Sequence, residues 1–461
     1  MSATAAFSVR GMRVTVVGAA RSGVAAAELL VRRGATVTLT DIRDEIDGAD
    51  GLRAAGVRLE LGGHPEATFT GADLIVLSPG VPAVQPAIAA ARRAGVPVIG
   101  ELELASRWLR GRVVAITGTK GKSTTTTLTG RMLEAGGHRV LVGGNIGHAL
   151  SAQVDQSTED TIHVVEASSF QLETTETFRP WIAVLLNFSS DHLDRHATVQ
   201  EYAEAKSRIF DNQDANDWAV LNADDVETIA LAEGGRARRL LFSLAADPAA
   251  DVVLDGDTIV RRTRTGEEPL VPVSSIRLLG RHLIADVLAA AAVSSLVGVP
   301  ADAMTRATEG FAGLEHALEP VGEFGGVRFV NDSKATNVEA ARRAIESFDN
   351  GLVVVMGGRF KGGELHELLE PLAARRATVI AIGEARPLIR KTFGSSCVVH
   401  EAADMSAAVR TAFASASPGD TVVLAPACAS FDMFRDYAER GRVFKQEVRR
   451  LGEEWSVTRE Q

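Results

Sequence analysis

The sequence predicts an α/β protein of three domains: an N-terminal Rossmann-like domain, a central phosphate-loop mononucleotide-binding domain built on a parallel sheet, and a C-terminal Rossmann-like domain. Three observations carry this prediction. Short β-branched runs alternate with Ala- and Leu-rich segments along the chain, the pattern of strands and helices around parallel sheets. Two of those runs pass directly into glycine-rich turns, "RVTVVGAARSG" at 13–23 and "RVVAITGTKGKST" at 112–124. The length, 461 residues, suffices for about three cores of ~150 residues each.

In the first block "RVTVVG" (13–18) and "TVTLTD" (36–41) read as strands flanking a helix, and "ADLIVLSPG" (72–80) adds another strand. The second block opens with "RVVAIT" (112–117) and includes "TIHVVEASSF" (161–170) and "WIAVLLNFS" (181–189). An acidic, β-like tail (240–276) and an apolar helix at 283–299 close it. The third block holds strands in "VRFVND", "GLVVVMGG", "ATVIAIG" and "DTVVLAPA". The expected domains are 1–105, 106–313 and 314–461, with a hinge near 311–316.

Composition removes several classes of function. Forty-six per cent apolar and 23% charged residues are ordinary globular usage. A formal charge of −10, from 49 basic and 59 acidic residues, disfavours a nucleic-acid surface, which needs concentrated positive charge. Cys397 and Cys428 have no metal-ligand spacing, as expected of a reducing compartment. No signal peptide is visible, and the 283–299 segment carries Asp286 and falls short of the roughly 20 apolar residues of a membrane span. A soluble, cytoplasmic protein, monomeric and without a membrane partner, is expected.

The first turn, "GAARSG" (18–23), departs from the dinucleotide fingerprint because Ala20 stands where a second glycine lets the backbone approach a pyrophosphate. It reads either as a plain Rossmann turn or as one end of a nucleotide site, with Arg21, Ser22, Asp41 and Arg43 as candidates. The second turn lacks the first glycine of the eight-residue phosphate loop, at Ile116. Gly118 and Gly121 still permit close backbone approach, with Thr119 and Lys120 between them. Lys122 can neutralise phosphate charge, and Ser123 or Thr124 can reach Mg²⁺ from the start of the next helix. Glu166, ending the strand "HVVE", suits a metal or its water at a parallel sheet edge.

In "TVQEYAEAKSRIF" (198–210) Thr198 and Glu201 make a capping box, and Tyr202, Lys206 and Ile209 share one face with Phe210 adjoining. Lys206 therefore interrupts an apolar stripe. It either snorkels to solvent or is a desolvated amine able to take up CO₂ as a carbamate. His192, just upstream, is a candidate metal ligand. In the third block "VNDSKATN" (330–337), "GGRFKGG" (357–363) and "LAPACASFDMFRDYAERG" (424–441) each follow a strand. They put Lys334, Lys361 and Ser430, at an anion-accepting helix start, on one kind of sheet edge, which suits an acidic small substrate.

In this order the motifs resemble the Mur ligase family over essentially the whole chain. The resembling segments are "GTKGKST", "GGNIG" (143–147), "EASSFQLE" (166–173), "DHLDRH" with "AKSRIF", "NDSKATN" and "APACASFDMF". The resemblance implies ATP-dependent amide formation in peptidoglycan precursor synthesis, joining D-glutamate to UDP-N-acetylmuramoyl-L-alanine through an acyl phosphate. It implies that the 118–124 loop and Asp332 bind ATP, and that Ser123, Glu166, His192 and carbamylated Lys206 hold Mg²⁺. Lys122, Glu166, His192 and Lys206 become the expected catalytic residues. Arg21, Ser22, Asp41, Arg43, Ser78, Asn145 and Ser168 fall to the UDP substrate, and Lys334, Thr336, Lys361, Ser430, Phe431 and Tyr437 to D-glutamate. The chain departs from the family pattern at Lys120, Leu283, Asp286 and Ala317; the last three lie where the family contacts ATP.

Rival readings meet specific obstacles. A folylpolyglutamate synthase shares the ATP loop, but a block like 1–105 is unexpected there. Other Mur ligases add L-alanine, a diamino acid or a dipeptide, and "ACASFDMF" favours D-glutamate. A nucleotide-dependent oxidoreductase fails at Ala20, and a non-catalytic nucleotide switch has no use for Lys334, Lys361 and the Ser430 loop.

Overall fold

Strand β1 (Arg13–Val17) carries an apolar alternation buried on both faces, and it pairs in parallel with β2 (Thr36–Asp41) and β4 (Leu74–Leu77). With β3 (Arg58–Leu61) and β5 (Val98–Gly100) they form a five-stranded parallel sheet of order β3-β2-β1-β4-β5. The order reverses between β1 and β4, so the turns after those two strands open onto one crevice. The structure, a computed structural model, describes residues 7–189, 195–245, 247–277, 282–311, 313–348 and 351–459.

The second sheet has nine strands: β6 (Arg112–Thr117), β7 (Arg139–Gly144), β8 (Thr161–Glu166), β9 (Ile182–Leu185), β10 (Trp218–Asn222), β11 (Arg238–Ser243), β12 (Val252–Asp255), β13 (Thr258–Thr263) and β14 (Gly266–Pro272). Their order is β14-β13-β12-β11-β10-β9-β6-β8-β7. The acidic tail is β as expected, and it adds an antiparallel meander, β12 to β14, to an otherwise parallel sheet. Strand β6 lies between β8 and β9. The loop leaving it therefore sits at a second reversal point, where ligands of open α/β sheets bind. The helix His282–Val297 has residues 287–293 wholly buried, which explains its uninterrupted apolar run without a membrane. Among the described residues no helix is long and apolar enough to cross one.

The third sheet holds β15 (Glu319–Phe324), β16 (Val327–Asn331), β17 (Leu352–Gly357), β18 (Thr378–Ile382), β19 (Val398–Glu401) and β20 (Thr421–Leu424) in the order β15-β16-β20-β17-β18-β19. Only β15 runs antiparallel. The chain divides into two compact units, Met1–Ile276 with Ile284–Gly310, and Arg277–Leu283 with Phe311–Gln461.

The first two sheets share a unit, and two buried glutamates of the helix Glu101–Ser106 join them. Glu103 accepts the N–H groups of Glu176, Thr177 and Phe178 at 2.9–3.0 Å and the Arg107 guanidinium at 2.8 Å. Burial alone would raise its pKa, but these bonds prevail and hold it below the usual carboxylate range. Glu101 takes the Ser151 N–H at 2.6 Å on one oxygen, and burial raises its pKa.

Candidate active site

The phosphate-loop residues take the positions the sequence predicts. After β6, Gly118 has φ +156° and Gly121 φ +79°. A Cβ on Gly121 would lie 2.1 Å from Asp286 Oδ1, so only glycine fits that position without displacing a buried carboxyl. The helix Lys122–Ala135 follows at once, placing Lys122, Ser123 and Thr124 in its first turn, where N–H groups have no intrahelical partner. Ile116 is a wholly buried β6 residue, so the missing first glycine is strand, not loop.

Asn187, which sequence reasoning missed, holds this loop in shape. Its carbonyl accepts the Thr119 N–H at 3.1 Å, its Oδ1 the Lys120 N–H at 2.8 Å, and its Nδ2 donates to the Lys120 carbonyl at 3.2 Å. The signal was an asparagine just past an apolar strand, in "LLNFS". The Thr119 hydroxyl also bonds the Tyr202 hydroxyl at 3.2 Å and donates to the Ser189 carbonyl at 3.1 Å.

Lys206 is 1% exposed, which eliminates the snorkelling reading. Its Nζ donates to the Gly118 carbonyl at 2.8 Å and lies 4.7 Å from the centre of the Tyr202 ring. Lys122 Nζ donates to the same Gly118 carbonyl at 2.8 Å and to that of Thr119 at 2.9 Å. Two amines thus share one acceptor in the phosphate loop. The expected helix starts at Val199, capped by the Thr198 hydroxyl accepting the Glu201 N–H at 3.1 Å. The capping box is only half made, because the Glu201 carboxylate accepts the Ala197 N–H instead of that of Thr198. Ile209 and Phe210 fall in a tighter 3₁₀ turn but stay on the buried face.

Glu166, 2% exposed, ends β8 beside the phosphate-loop strand, opposite Ile116. Its Oε1 accepts Asn145 Nδ2 at 2.7 Å, and its Oε2 is buried without a partner among the described residues. An orphaned carboxylate oxygen at this edge fits a cation, because leaving it unmet is costly. His192 lies outside the described residues. No group of three or more His, Cys, Asp or Glu side chains suited to a metal occurs among the described residues. Asp286, 6% exposed, faces the loop from the helix His282–Val297, and burial drives its pKa well up despite the charge of Lys122.

At the first crevice, Arg21 begins the helix Arg21–Arg32 and donates to the Gly147 carbonyl at 3.1 Å, touching the "GGNIG" loop directly. Ser22, half-buried, follows it in the first turn. Asp41 accepts the Ala19 N–H at 2.6 Å and three N–H groups of Arg43 at 2.9 Å. These fill the acceptor positions of its carboxylate, and the Arg43 guanidinium holds its pKa far below the usual range. Asp41 thereby shapes the turn and orients Arg43. Ser78, 2% exposed, has a buried hydroxyl without a partner among the described residues, packed against Gly18 and Gly23. Ser168 caps the short helix Ser169–Leu172 in a full capping box with Gln171, which accounts for it structurally.

In the second unit, β16, β20 and β17 are neighbours, so their C-terminal loops emerge side by side. The first carries Asp332, Lys334 and Thr336. Burial raises the Asp332 pKa to about 7. Lys334 is exposed, Thr336 half-buried and Lys361, after β17, exposed. The Arg359–Ala429 pair of N–H···O bonds, 2.9 and 3.0 Å, ties the second and third loops together. One expectation needs correction: no helix starts at Ser430. The helix runs Tyr437–Arg459, and Ser430, 2% exposed, lies in a turn where its carbonyl accepts the Met433 and Phe434 N–H groups. Small residues and "FDMFRD" permit this wide turn before the helix starts. Phe431 (63% exposed) and Tyr437 (41%) present aromatic rings at this edge.

Three family descriptions match the chain: "Mur ligase MurD-like, N-terminal domain" at 12–100, "Mur ligase middle domain" at 116–294 and "Mur ligase, glutamate ligase domain" at 318–428. Proteins called UDP-N-acetylmuramoylalanine--D-glutamate ligase are similar over nearly their full length. That of Koribacter versatilis is 44% identical over 97% of this chain and 99% of its own; that of Acidobacterium capsulatum is 46% identical over 95% and 96%. Among solved structures, the UDP-N-acetylmuramate-alanine ligase of Thermotoga maritima aligns with a TM-score of 0.59 at 19% identity, covering 95% of this chain and 99% of its own. The MurF ligase of the same organism, in complex with ADP, aligns at 0.58 and 18% identity, covering 96% of each chain. At these identities the structures speak for the fold.

Proposed function

The chain belongs to the Mur ligase family, and we propose that it is an ATP-dependent ligase adding D-glutamate to UDP-N-acetylmuramoyl-L-alanine. The observation that carries the reading is the pair of amines, Lys122 and Lys206, converging on the Gly118 carbonyl beside the helix start. Near-full-length similarity to D-glutamate ligases supports the choice of substrate.

In this reading the L-alanyl carboxylate attacks the γ-phosphorus of ATP, the bond to the bridging oxygen breaks, and ADP leaves. The D-glutamate amine then attacks the acyl phosphate carbonyl, phosphate departs, and an amide remains. Two anions meet in the first step. Lys122 and the N–H groups of the first helical turn stabilise the charge that builds on the phosphoryl oxygens. Loss of one such donor typically costs about 3–4 kcal/mol of barrier. Mg²⁺, held by Ser123, Glu166, His192 and carbamylated Lys206, would supply further neutralisation of phosphate charge. Carbamylation would turn the Lys206 amine into an anionic oxygen donor, which together with the orphaned Glu166 oxygen would suit a cation.

The substrate's UDP end falls to Arg21, Ser22, Ser78 and Arg43, the last held by Asp41. Asn145 positions Glu166 as well as meeting substrate. Lys334, Lys361, Thr336 and Ser430 receive the carboxylates of D-glutamate, with Phe431 and Tyr437 against it. The domains proposed are 1–105 for the UDP substrate, 106–313 for ATP and 314–461 for the amino acid. The protein is taken as cytoplasmic and monomeric. The test is phosphate release from ATP with UDP-N-acetylmuramoyl-L-alanine and D-glutamate, L-glutamate or no amino acid. D-glutamate alone should stimulate release; equal rates in all three would reject the reading.

A further inference from the structure

Arg440 is 0% exposed and heads the largest wholly buried side chains among the described residues. It sits in the helix Tyr437–Arg459 in i, i+4, i+8 spacing with Phe444 and Val448, 0% and 1% exposed, so a cation interrupts an apolar stripe. Its guanidinium reaches all three loops of the third sheet's central edge. Nε donates to Ser333 Oγ at 2.9 Å and Nη2 to the Ser333 carbonyl at 2.9 Å, after β16. Nη1 donates to the Cys428 carbonyl at 3.0 Å, after β20, and to that of Gly357 at 3.5 Å, ending β17. The Ser333 hydroxyl passes the contact on to the Tyr437 carbonyl at 2.7 Å. Burial lowers the Arg440 pKa to about 10, so it stays charged at neutral pH.

Burying a guanidinium is costly, and an apolar side chain of similar volume would often serve stability as well. What an apolar chain cannot supply is a planar fork of donors in fixed directions. Each loop it grips carries a proposed D-glutamate residue within four positions of the contact: Lys334 beside Ser333, Ser430 near Cys428, Lys361 near Gly357. We infer that Arg440 is a positioning residue that holds the three D-glutamate loops in register without touching the amino acid. This rests on the assignment of those loops to D-glutamate.

The test compares wild type with Arg440→Lys and Ser333→Ala in saturation curves for each substrate, and by hydrogen exchange. In Arg440→Lys the D-glutamate KM should rise about tenfold or more, with the UDP-substrate KM within about twofold, since each charged hydrogen bond lost is significant. Ser333→Ala should move the same KM in the same direction by less. Amides of 332–337, 357–363 and 425–436 should exchange faster together in Arg440→Lys. An unchanged D-glutamate KM, or a UDP-substrate KM rising alike, overturns the inference. Should Arg440→Lys not fold, Ser333→Ala decides on the same criteria. Should wild type ignore D-glutamate, the substrate assignment fails, while exchange still judges the loop clamp: loosening confined to the helix would refute it.

Discussion

Lys206 is the residue on which the chemistry turns most sharply. It is 1% exposed and meets Lys122 at the Gly118 carbonyl, and a neutral lysine amine is the form that captures CO₂. Lys206→Ala should abolish most activity, and a short carboxylic acid added to the assay should restore part of it by supplying the missing oxygens. Full activity in the variant would make the lysine a packing residue. Asp332 offers a pH test. Its folded pKa of about 7 exceeds the unfolded value of about 3.9. The proton is held more tightly in the folded state, so the associated stability is complete below about pH 4 and is lost as pH rises to about 7. Unfolding free energies of wild type and Asp332→Asn from urea titration should diverge over that window by up to about 1.4 kcal/mol per pH unit and then run parallel. A difference independent of pH would contradict the assignment. At this scale the sequence revealed Lys206 through a broken apolar stripe. Arg440 leaves the same signal in "RDYAERGRVF", but there polar neighbours blur the stripe.

Among elements, the phosphate loop was the most legible, because strand, glycines and helix start are contiguous and local geometry decides them. Gly121→Ala tests it: the added Cβ meets the buried Asp286 carboxyl and the backbone must keep φ +79°, a strain of about 1–3 kcal/mol. ADP affinity measured by calorimetry should fall at least about tenfold; unchanged affinity would show that the loop tolerates a side chain. The strands β2 and β6 match the predicted runs at both ends, since β-branched runs buried on both faces leave little ambiguity. The helix start at Tyr437 was not legible in the same way. A twelve-residue turn from 425 to 436 is held by long-range bonds, such as Gly357 N–H to the Pro426 carbonyl, that no local pattern encodes.

For the whole molecule, three sheets with reversal points turn a chain of ordinary composition into a set of ligand edges, and the order of motifs along it carried the family. Asn187 and Glu103 were invisible because each acts on a partner at least 67 residues away in sequence. The central claim is that the substrate carboxylate is activated by the γ-phosphoryl group and then captured by an amine. It is tested most directly by labelling both oxygens of the L-alanyl carboxylate with ¹⁸O and analysing the phosphate released in the presence of D-glutamate. The account predicts one labelled oxygen in each phosphate and the other in the amide product. Phosphate free of label, with both labelled oxygens still on the unreacted carboxylate, would contradict it.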